Sequence, residues 1–461
     1  MNAKRLAAII TALLLLPVCT VANGLQLSGI GAKALAMGGA FRAVADDWTA
    51  SIWNPAGLAG QRSGYSFEGK ILYQVNRITP NAASTTPGLE YYLYHNGTEY
   101  STEAKPISTG SFAYQIKNSD RVSLSFNLSH SSLNNSSWEY LYLGPYTGYE
   151  NLTYPDVAWR SDIRIFDLHP AVGIRVLKSL SVGIGVSIKS ATVLLQKPSL
   201  LPSIDPESGD PLSPPFQHTF VQSSFEGEGI GTGYNLGVMM NLTESTRIGI
   251  TYTSPLTISL EGELQQIPYL PTTITNDSIL AIPIVYADLN LPMAIGFGIS
   301  SQVHPRLLIS MDVAYTNWSA LDKVEVDLRE EHLYGDSTLT ADQILNWKNT
   351  LRFAVGVNCL LYKPLDFEVR AGYSYDQSPV PDETISPLSL DVADKHILGV
   401  GFQSRLNKRL SIEGYWEHII GAERVVSAGS DINGDSIDDN LPGSWSMQSD
   451  TFGLQFNYLI P

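Results

Sequence analysis

The sequence predicts an all-β protein, a 14-stranded antiparallel transmembrane β-barrel with an N-terminal hatch, or plug, inside its lumen. Three observations lead to this prediction. The chain begins with a secretory signal, its strands alternate apolar with small or polar residues, and tight turns alternate with long connections past residue 62. The predicted boundaries are 1–22 for the signal peptide, 23–62 for the hatch and 63–461 for the barrel.

The first 22 residues have the three parts of a secretory signal peptide. Lys4 and Arg5 form the positively charged start, the apolar run extends from Leu6 to Val18, and Thr20–Ala22 supplies the small residues of a cleavage site. The mature chain is therefore expected to leave the cytoplasm.

Cysteine count, charge and hydropathy limit the class of protein. Cys19 is expected to leave with the signal, a lipid anchor at Cys19 being the alternative, so Cys359 has no disulfide partner. A net charge of −16 argues against nucleic acid as a partner, because phosphate binding needs clustered Lys and Arg. No later stretch reaches the ~18–20 apolar residues that a membrane-spanning helix needs. An exported chain of this kind enters a membrane as strands, and lipid allows strands only in a closed barrel.

Between the signal and the first strand lies a Gly- and Ala-rich stretch without strand alternation, Leu25–Arg62. It is unsuited to a barrel wall, but small residues allow close backbone packing, so it is expected to fold inside the lumen as a plug. Trp48, Trp53 and Leu58 favour burial over a disordered tail. The GxGxxA run from Gly29 mimics a dinucleotide fingerprint, but no strand precedes it and no βαβ unit follows.

Past residue 62 the barrel is predicted from side-chain alternation and from the lengths of the connections. In the run from Val122 to Ser129, for example, apolar residues alternate with Ser and Asn. The short polar turns are Asn118–Asp120, Lys178–Ser179, Glu244–Ser245, His304–Pro305, Lys363–Pro364 and Asn407–Lys408. The longer connections lie near 77–106, 133–160, 196–222, 263–288, 329–348, 377–394 and 423–448. Together they join fourteen strands, with the long connections outside the cell. A soluble β-sandwich or propeller is the alternative, and the one-sided loop lengths disfavour it.

Four of the predicted outer connections are unusually apolar: 89–94, 138–146, 194–204 and 264–274. The candidate substrate-binding residues in them are Trp138, Tyr140, Leu200, Leu201, Tyr269 and Leu270. Two interpretations stay open. Exposed apolar surface of this kind captures hydrophobic ligands, or it forms an aromatic girdle at the membrane interface while the loops pack on one another.

One acidic stretch resembles a calcium-binding loop, with oxygen ligands near alternate positions. The candidate ligands are Asp431, Asn433, Asp435 and Asp439. Ser436 stands where such loops have glycine, and Pro442 stands where the bidentate Glu belongs, so a solvated acidic turn is the alternative. A structural Ca²⁺ in the 431–439 loop is the one cofactor considered, and no other is expected.

The sequence contains no feature that predicts an enzyme. The eight histidines are scattered and have no His or Cys neighbour at metal-ligand spacing, and no G-x-S-x-G elbow occurs.

Several motifs resemble those of a known family. In the plug, Met37–Ala40, Ala45–Asp47 and Trp53–Ala56 are similar to the N-terminal hatch of the FadL/TodX outer-membrane transporters of long-chain fatty acids and hydrophobic aromatics. Later segments match in the same order and spacing: Asp312–Ser319, Trp347–Gly356, Gly372–Pro381 and Phe452–Tyr458. The likeness covers both ends of the mature chain and most of its C-terminal half.

The resemblance implies a passive, hatch-gated transporter that spans the outer membrane of a Gram-negative cell many times and acts as a monomer. The implied ligand is a long-chain fatty acid or another hydrophobic molecule, which enters an internal pocket and leaves sideways as the hatch shifts. Outer-membrane lipid is the other expected partner. The alternative function is an outer-membrane scaffold or shuttle that binds secreted protein partners.

The resemblance also implies roles for individual residues. The implied hatch or gating residues are Asp46, Asp47, Trp53, Asn54, Pro55 and Ala56. Lys348 and Arg352 are the basic candidates for contacting the ligand.

Overall fold

A computed structural model of the protein describes residues 29–81, 97–102, 105–141, 157–202, 218–268, 280–324, 326–328, 339–340, 343–389, 391–427, 429–432 and 440–460. The predicted signal peptide, residues 1–22, lies outside the described residues, as do residues 23–28 of the predicted hatch.

Sixteen strands form the wall in the described part of the chain. They are β1 Gly64–Pro80, β2 Ile107–Lys117, β3 Val122–Leu141, β4 Val157–Leu177, β5 Leu180–Pro202, β6 His218–Asn241, β7 Thr246–Thr253, β8 Leu256–Pro268, β9 Leu280–Leu291, β10 Ala294–His304, β11 Leu307–Thr316, β12 Thr350–Tyr362, β13 Phe367–Asp376, β14 Lys395–Arg405, β15 Leu410–Gly421 and β16 Gly443–Leu459.

The wall closes as a barrel of fourteen strands. β7 and β8 both pair with β6, and together they form one barrel strand that is interrupted at Ser254 and Pro255. β9 pairs with β8 and β10 pairs with β7, so β9 and β10 also form one barrel strand, interrupted at Pro292 and Met293. All neighbouring strands are antiparallel, and β1 pairs with β16 from Gly64 opposite Leu459 to Pro80 opposite Gly443. The predicted strand number and closure are confirmed. The prolines explain why two strands are interrupted, since proline has no N–H for the ladder.

Smaller elements lie inside the barrel and in the outer connections. The helices are α1 Ala32–Ala36 and α2 Ala50–Trp53, with 3₁₀ turns at Pro55–Leu58, Trp318–Ala320 and Lys363–Leu365. The short strands Tyr100–Ser101, Val326–Leu328 and Arg424–Val426 extend the sheet by pairing with β1, β9 and β16, and Leu339–Thr340 pairs with Val326–Leu328. Lys323–Val324 and Gln343–Ile344 form a separate two-stranded sheet. Within the described ranges, none of the helices is long and apolar enough to cross a membrane.

The inward and outward faces follow the predicted alternation. On β3, Ser125 and Asn127 are buried toward the lumen, whereas Phe126 is 46% exposed and Leu128 40% exposed on the outer face. All six predicted short turns occur between paired strands. Apolar side chains thus cover the surface that meets lipid, and small or polar ones face inward.

The outer connections are shorter than the sequence predicts. The predicted connection 133–160 contains the last residues of β3, which reaches Leu141, and the first residues of β4. The connection predicted at 196–222 likewise contains the end of β5 and the start of β6. The alternation fades there because a strand that rises beyond the lipid no longer needs an oily face, although its ladder of hydrogen bonds continues.

The lumen has two layers. Near the short turns the inward side chains are polar and surround the hatch, as with Ser123, Glu413 and Gln455. Toward the long connections they become apolar: β4 changes from Asp167 to Ile165 and Ile163. Residues of the outer connections fold into this upper layer and join one buried apolar cluster. The lumen therefore has a polar layer around the hatch and an apolar layer above it.

Candidate functional site

The hatch rests directly on the barrel wall. At nine wall positions a Cβ atom would lie closer than 3.0 Å to hatch atoms, so only glycine fits without displacement. These positions are Gly173, Gly183, Gly237, Gly249, Gly296, Gly356, Gly372, Gly399 and Gly401. The small inward residues seen in the sequence are thus the surface against which the hatch packs.

Polar side chains of the wall bind backbone N–H groups of the hatch. The Asp312 carboxylate accepts hydrogen bonds from the N–H groups of Phe41 (3.1 Å) and Arg42 (2.9 Å). Glu68 accepts one from Gly31 (3.0 Å), and the Gln455 side chain accepts one from Ala32 (2.9 Å). These acceptors come from β11, β1 and β16, so the hatch is bonded to distant parts of the chain at once.

The Asn-Pro-Ala motif is the point where the hatch is braced against β6. Asn54 is fully buried, and its Nδ2 donates to the carbonyls of Arg42 (2.8 Å) and Val238 (3.2 Å). Its Oδ1 accepts from the N–H of Ala56 (3.2 Å) and caps the 3₁₀ turn that begins at Pro55. One side chain therefore joins two hatch segments to the wall.

The two hatch aspartates have different environments. Asp46 forms an ion pair with Lys33 (2.8 Å) and keeps 43% of its side chain exposed. Asp47 accepts from the N–H (2.8 Å) and Oγ1 (2.5 Å) of Thr49, which positions the start of α2. Burial, with added repulsion from Glu413 and Asp46, raises the pKa of Asp47 to about 7. The seated hatch therefore holds this carboxyl partly protonated near neutral pH.

A cavity of about 270 Å³ lies between the hatch and the upper apolar layer. Its apolar lining comes from the hatch, the wall and one outer connection: Ile30, Ile52, Trp53, Ile165, Leu256, Leu291, Ala314 and Trp318. Trp53 is fixed by a hydrogen bond from Nε1 to the Ile30 carbonyl (2.9 Å) and packs edge-on against Phe41. These apolar side chains suit the hydrophobic part of a ligand.

A first polar cluster on the cavity surface lies on β4 and β5. Asp167 forms an ion pair with Lys189, and its Oδ1 has no hydrogen-bond partner among the described residues. His169 next to it bonds Ser187 Oγ (2.8 Å) and the Ser51 carbonyl of the hatch (2.9 Å).

A second polar cluster lies on β12 to β14 and the connection between β13 and β14. Lys395 is paired with both Asp391 and Asp376, and its side chain is only 2% exposed. Burial raises the pKa of Asp391 to about 6 against the opposing effect of Lys395. The cavity lining is therefore mixed, and its polar groups can orient a ligand's polar end.

The structure separates the two basic candidates from the sequence. Arg352 lines the cavity, where its Nη2 donates to the Gly38 carbonyl of the hatch (3.2 Å) and to Ser374 Oγ of β13 (3.2 Å). Lys348 lies outside the cavity, with 68% of its side chain exposed and an ion pair to Glu383 (3.8 Å). Arg352 is therefore the candidate that bridges hatch, wall and cavity.

Trp138 is part of the apolar layer above the cavity. Although the sequence predicts an exposed loop there, Trp138 lies in β3, is 2% exposed and packs edge-on against Trp445. Its Nε1 donates to the Pro387 carbonyl (2.9 Å), which ties the connection between β13 and β14 into the lumen. Val380, Ile385 and Val392 of that connection are buried in the same cluster, so this segment forms part of the apolar layer above the cavity.

The other sequence candidates fall partly outside the described residues. The side chains of Tyr140, Leu200 and Leu201 are not among those described, although their backbones belong to β3 and β5, and Tyr269 and Leu270 lie outside the described residues altogether. Asp431 is exposed, while Asn433, Asp435 and Asp439 also lie outside the described ranges, so calcium there stays a prediction. Among the side chains that the structure does describe, no group of three or more His, Cys, Asp or Glu residues suits a metal ion.

Several residues that line the cavity are missing from the sequence candidates. Asp167, His169 and Lys189 occupy inward positions, and that alternation was the one signal that pointed to them. Lys395 and Asp391 gave no such signal, because their proximity to Arg352 depends on how the connection between β13 and β14 folds back into the barrel.

Comparison with known proteins identifies the family. A family model described as "Outer membrane protein transport protein (OMPP1/FadL/TodX)" matches residues 13–459. The chain belongs to this family. FadL/TodX membership places the protein in the outer membrane among transport proteins rather than enzymes, and it confirms the localisation and family expected from the sequence.

Individual FadL/TodX relatives are distant. The long-chain fatty acid transport protein of Salmonella typhi is 25% identical over 323 residues, which is 66% of this chain and 67% of that protein. That of Escherichia coli (strain K12) is 27% identical over 240 residues, 50% of this chain and 48% of that protein. The matched regions thus span about half to two thirds of the length of these relatives.

Solved structures agree on the fold. A Pseudomonas aeruginosa FadL homologue superimposes with a TM-score of 0.76 at 15% identity and covers 95% of this chain and 99% of that chain. The Pseudomonas putida toluene transporter TodX gives a TM-score of 0.66 at 16% identity, with 95% and 99% covered. At such identities the likeness supports the fold of the barrel and its hatch.

Proposed function

We propose that the protein transports long-chain fatty acids or similar hydrophobic molecules passively across the outer membrane, through its internal cavity, with a hatch shift and a lateral exit. The observation that carries the proposal is a cavity with apolar side chains and separate charged groups in its lining, which lies directly on the closed hatch. The substrate class is that of relatives named long-chain fatty acid transport protein and toluene transporter.

The energetics of an alkyl chain favour a sideways exit. Burial of each CH₂ group is worth about 0.8 kcal/mol, so moving ~14 methylenes from the cavity into a water-filled pore would cost roughly 11 kcal/mol. The route straight down is lined by polar groups and filled by the hatch. A side exit into the membrane avoids that cost.

A cleft in the wall between β2 and β3 supports such an exit. Their ladder ends at Gly110 opposite His130, although β3 continues to Leu141. The cleft shares Ile30, Ser129 and Ser131 with the cavity, and Thr109 Oγ1 beside it has no hydrogen-bond partner among the described residues. At the interruption between β7 and β8, by contrast, the gap is closed. The Ser254 N–H donates to the Tyr234 carbonyl (2.8 Å), and the Tyr234 N–H donates to Ser254 Oγ (2.9 Å).

Arg352 supplies a physical link between ligand and hatch. Its guanidinium holds the neutral carbonyl of Gly38, and a carboxylate in the cavity would compete for the same donors. A carboxylate carries a full opposite charge and accepts two parallel N–H···O bonds from Arg, whereas a carbonyl is an uncharged acceptor. A fatty acid headgroup would therefore draw Arg352 away from Gly38 and loosen the hatch.

Uptake of labelled ligands tests the function. In a strain that lacks the protein, re-expression is expected to restore uptake of tritiated oleate, and Arg352→Met is expected to lower that uptake roughly tenfold or more. Uptake of labelled hexadecane, which has no carboxylate, should change little in Arg352→Met. Lys348→Met is the comparison variant. If Lys348→Met lost oleate uptake, the carboxylate of the ligand would be bound at the exposed Lys348 and not at Arg352 in the cavity.

Two results would count against the proposal. Oleate uptake that is the same with and without the protein excludes it as the major route. An abundant secreted protein that co-purifies with the barrel, with no lipid in the lumen, would favour the scaffold or shuttle instead.

A disulfide across the cleft tests the lateral exit. In a Cys359→Ser background, oxidised Thr109→Cys/Ser131→Cys is expected to slow oleate uptake at least tenfold, because the bond seals the gap, and dithiothreitol should restore it. The control is Ala113→Cys/Asn127→Cys, an inward pair in register lower in the same ladder. If the sealed variant transports as fast as this control, the exit lies elsewhere in the wall.

A further inference from the structure

The end of the barrel formed by the short turns has a charge opposite to that of the whole chain. Nine Lys and Arg residues lie in or directly beside the six turns and the start of β1, against the three carboxylates of Asp120, Glu244 and Asp366. The chain as a whole has 29 basic and 45 acidic residues. This surface, called here the short-turn rim, is therefore basic on an acidic protein.

Most of these cations have no counter-charge within the protein. Lys117 is paired with Asp120 (2.6 Å), and Arg405 is paired with Asp366. The other seven are exposed and form no ion pair within the described ranges. Arg62 precedes β1, and the turns contribute Arg121, Lys178, Arg306, Lys363, Lys408 and Arg409.

The unpaired cations surround the whole circumference. They occur at five of the six turns and at the start of β1, and the turn between β6 and β7 has Glu244 instead. A docked protein would cover one sector of such a ring. An annulus of lipid meets every turn equally, so the ring pattern fits a membrane surface.

Exposed apolar side chains stand next to the cations. Leu177 beside Lys178 is 59% exposed, and Tyr362 beside Lys363 is 55% exposed. Leu406, in the turn that also contains Lys408, is 55% exposed as well. Side chains of this kind are covered at the boundary between acyl chains and headgroups, where Lys and Arg reach outward to phosphate.

We propose that the short-turn rim binds anionic phospholipid headgroups of the leaflet that faces the periplasm. The short turns of outer-membrane barrels face the periplasm. Each basic residue near an anionic membrane surface increases the affinity for that surface about fivefold. Phosphate oxygens accept from Arg in bidentate geometry and from Lys as a point charge. Because the rim lies at the opposite end from the ligand cavity, this inference does not depend on the proposed transport.

Lipid retention measures the proposed binding directly. The purified full chain is equilibrated with equal amounts of phosphatidylglycerol and phosphatidylcholine of the same acyl composition, and the lipids retained are counted by native mass spectrometry. The wild type is expected to retain phosphatidylglycerol at least fivefold over phosphatidylcholine. Lys363→Gln/Lys408→Gln/Arg409→Gln should reduce this ratio to below about twofold, and higher salt should lower it in the wild type.

The matched control changes charge at the same rim in the opposite direction. Asp120→Asn/Glu244→Gln removes two of its carboxylates and should raise the phosphatidylglycerol ratio. Heat-dependent gel mobility establishes that each variant forms the closed barrel. Equal retention of the two lipids by the wild type, or a preference that survives the triple substitution, overturns the proposal. So does an acidic protein that binds the rim while the two lipids are retained equally.

Discussion

Gly372→Val is expected to force the hatch out of its seat and to turn the closed barrel into a steadily conducting pore. A Cβ at this position overlaps the backbone of Met37 and Gly38, which cannot move aside like a flexible side chain. Gly356 and Gly399 lie directly opposite Gly372 on β12 and β14, so three glycines form one flat patch beneath this part of the hatch. Overpacking of this kind typically costs 1–3 kcal/mol, comparable to the few hydrogen bonds that hold the segment.

Planar bilayer recordings measure the outcome. Wild-type protein should give little current, whereas Gly372→Val should give stable conductance steps. The matched control is Gly69→Val on β1, where nothing lies within 4 Å of the added Cβ. A folded Gly372→Val barrel that stays as silent as Gly69→Val would mean that the wall, and not the hatch, yields to the extra methyl groups.

Ala314→Phe is expected to reduce uptake of hydrophobic ligand at least tenfold. Ala314 lies on the cavity surface beneath Trp318, which is locked edge-on against Trp347 with ring centroids 5.2 Å apart. A cavity of roughly 150 Å³ holds one benzene molecule, so a phenyl ring occupies about half of a cavity of about 270 Å³. The ligand and the new ring would compete for the same volume.

The control for Ala314→Phe is the same enlargement one residue away. Val313→Phe adds its ring on the lipid-facing side of β11, where apolar side chains are accommodated. Initial rates of tritiated oleate uptake at equal surface expression separate the two variants. Equal rates for Ala314→Phe and Val313→Phe would show that the ligand does not pass through this cavity.

The sequence was sufficient for the wall because the wall follows local rules. Alternation at Ser125 and Asn127 identifies the inward face, and turns such as Lys178–Ser179 separate the strands without knowledge of distant residues. The interruptions at Pro255 and Pro292 were visible as prolines, but the continuation of each strand beyond them depends on pairing with β6 and with one another.

The candidate site was predicted less completely because its residues come together through folding. Arg352 was selected by its basic charge beside a family-like motif, and it lines the cavity. Asp167 and Lys395 are far from Arg352 in sequence. Alternation shows which residues of their strands face inward, but it does not show which of those residues line the cavity. The roles of the wall glycines could not be predicted from the sequence. Glycine is needed there because hatch atoms lie directly against these positions, and that contact is seen only in the structure.

The pairing of β1 with β16 bears on how the protein is assembled. The seam joins the first and last strands to be synthesised, so closing the cylinder brings together residues that are separated by nearly the whole polypeptide. Entropy opposes such long-range closure, and it slows folding. Through Glu68, Asp312 and Gln455, the early N-terminal segment contacts both edges and the middle of the sheet. In the closed barrel one short segment therefore links both strands of the seam to the opposite side of the wall, which offsets part of the entropic cost of closure.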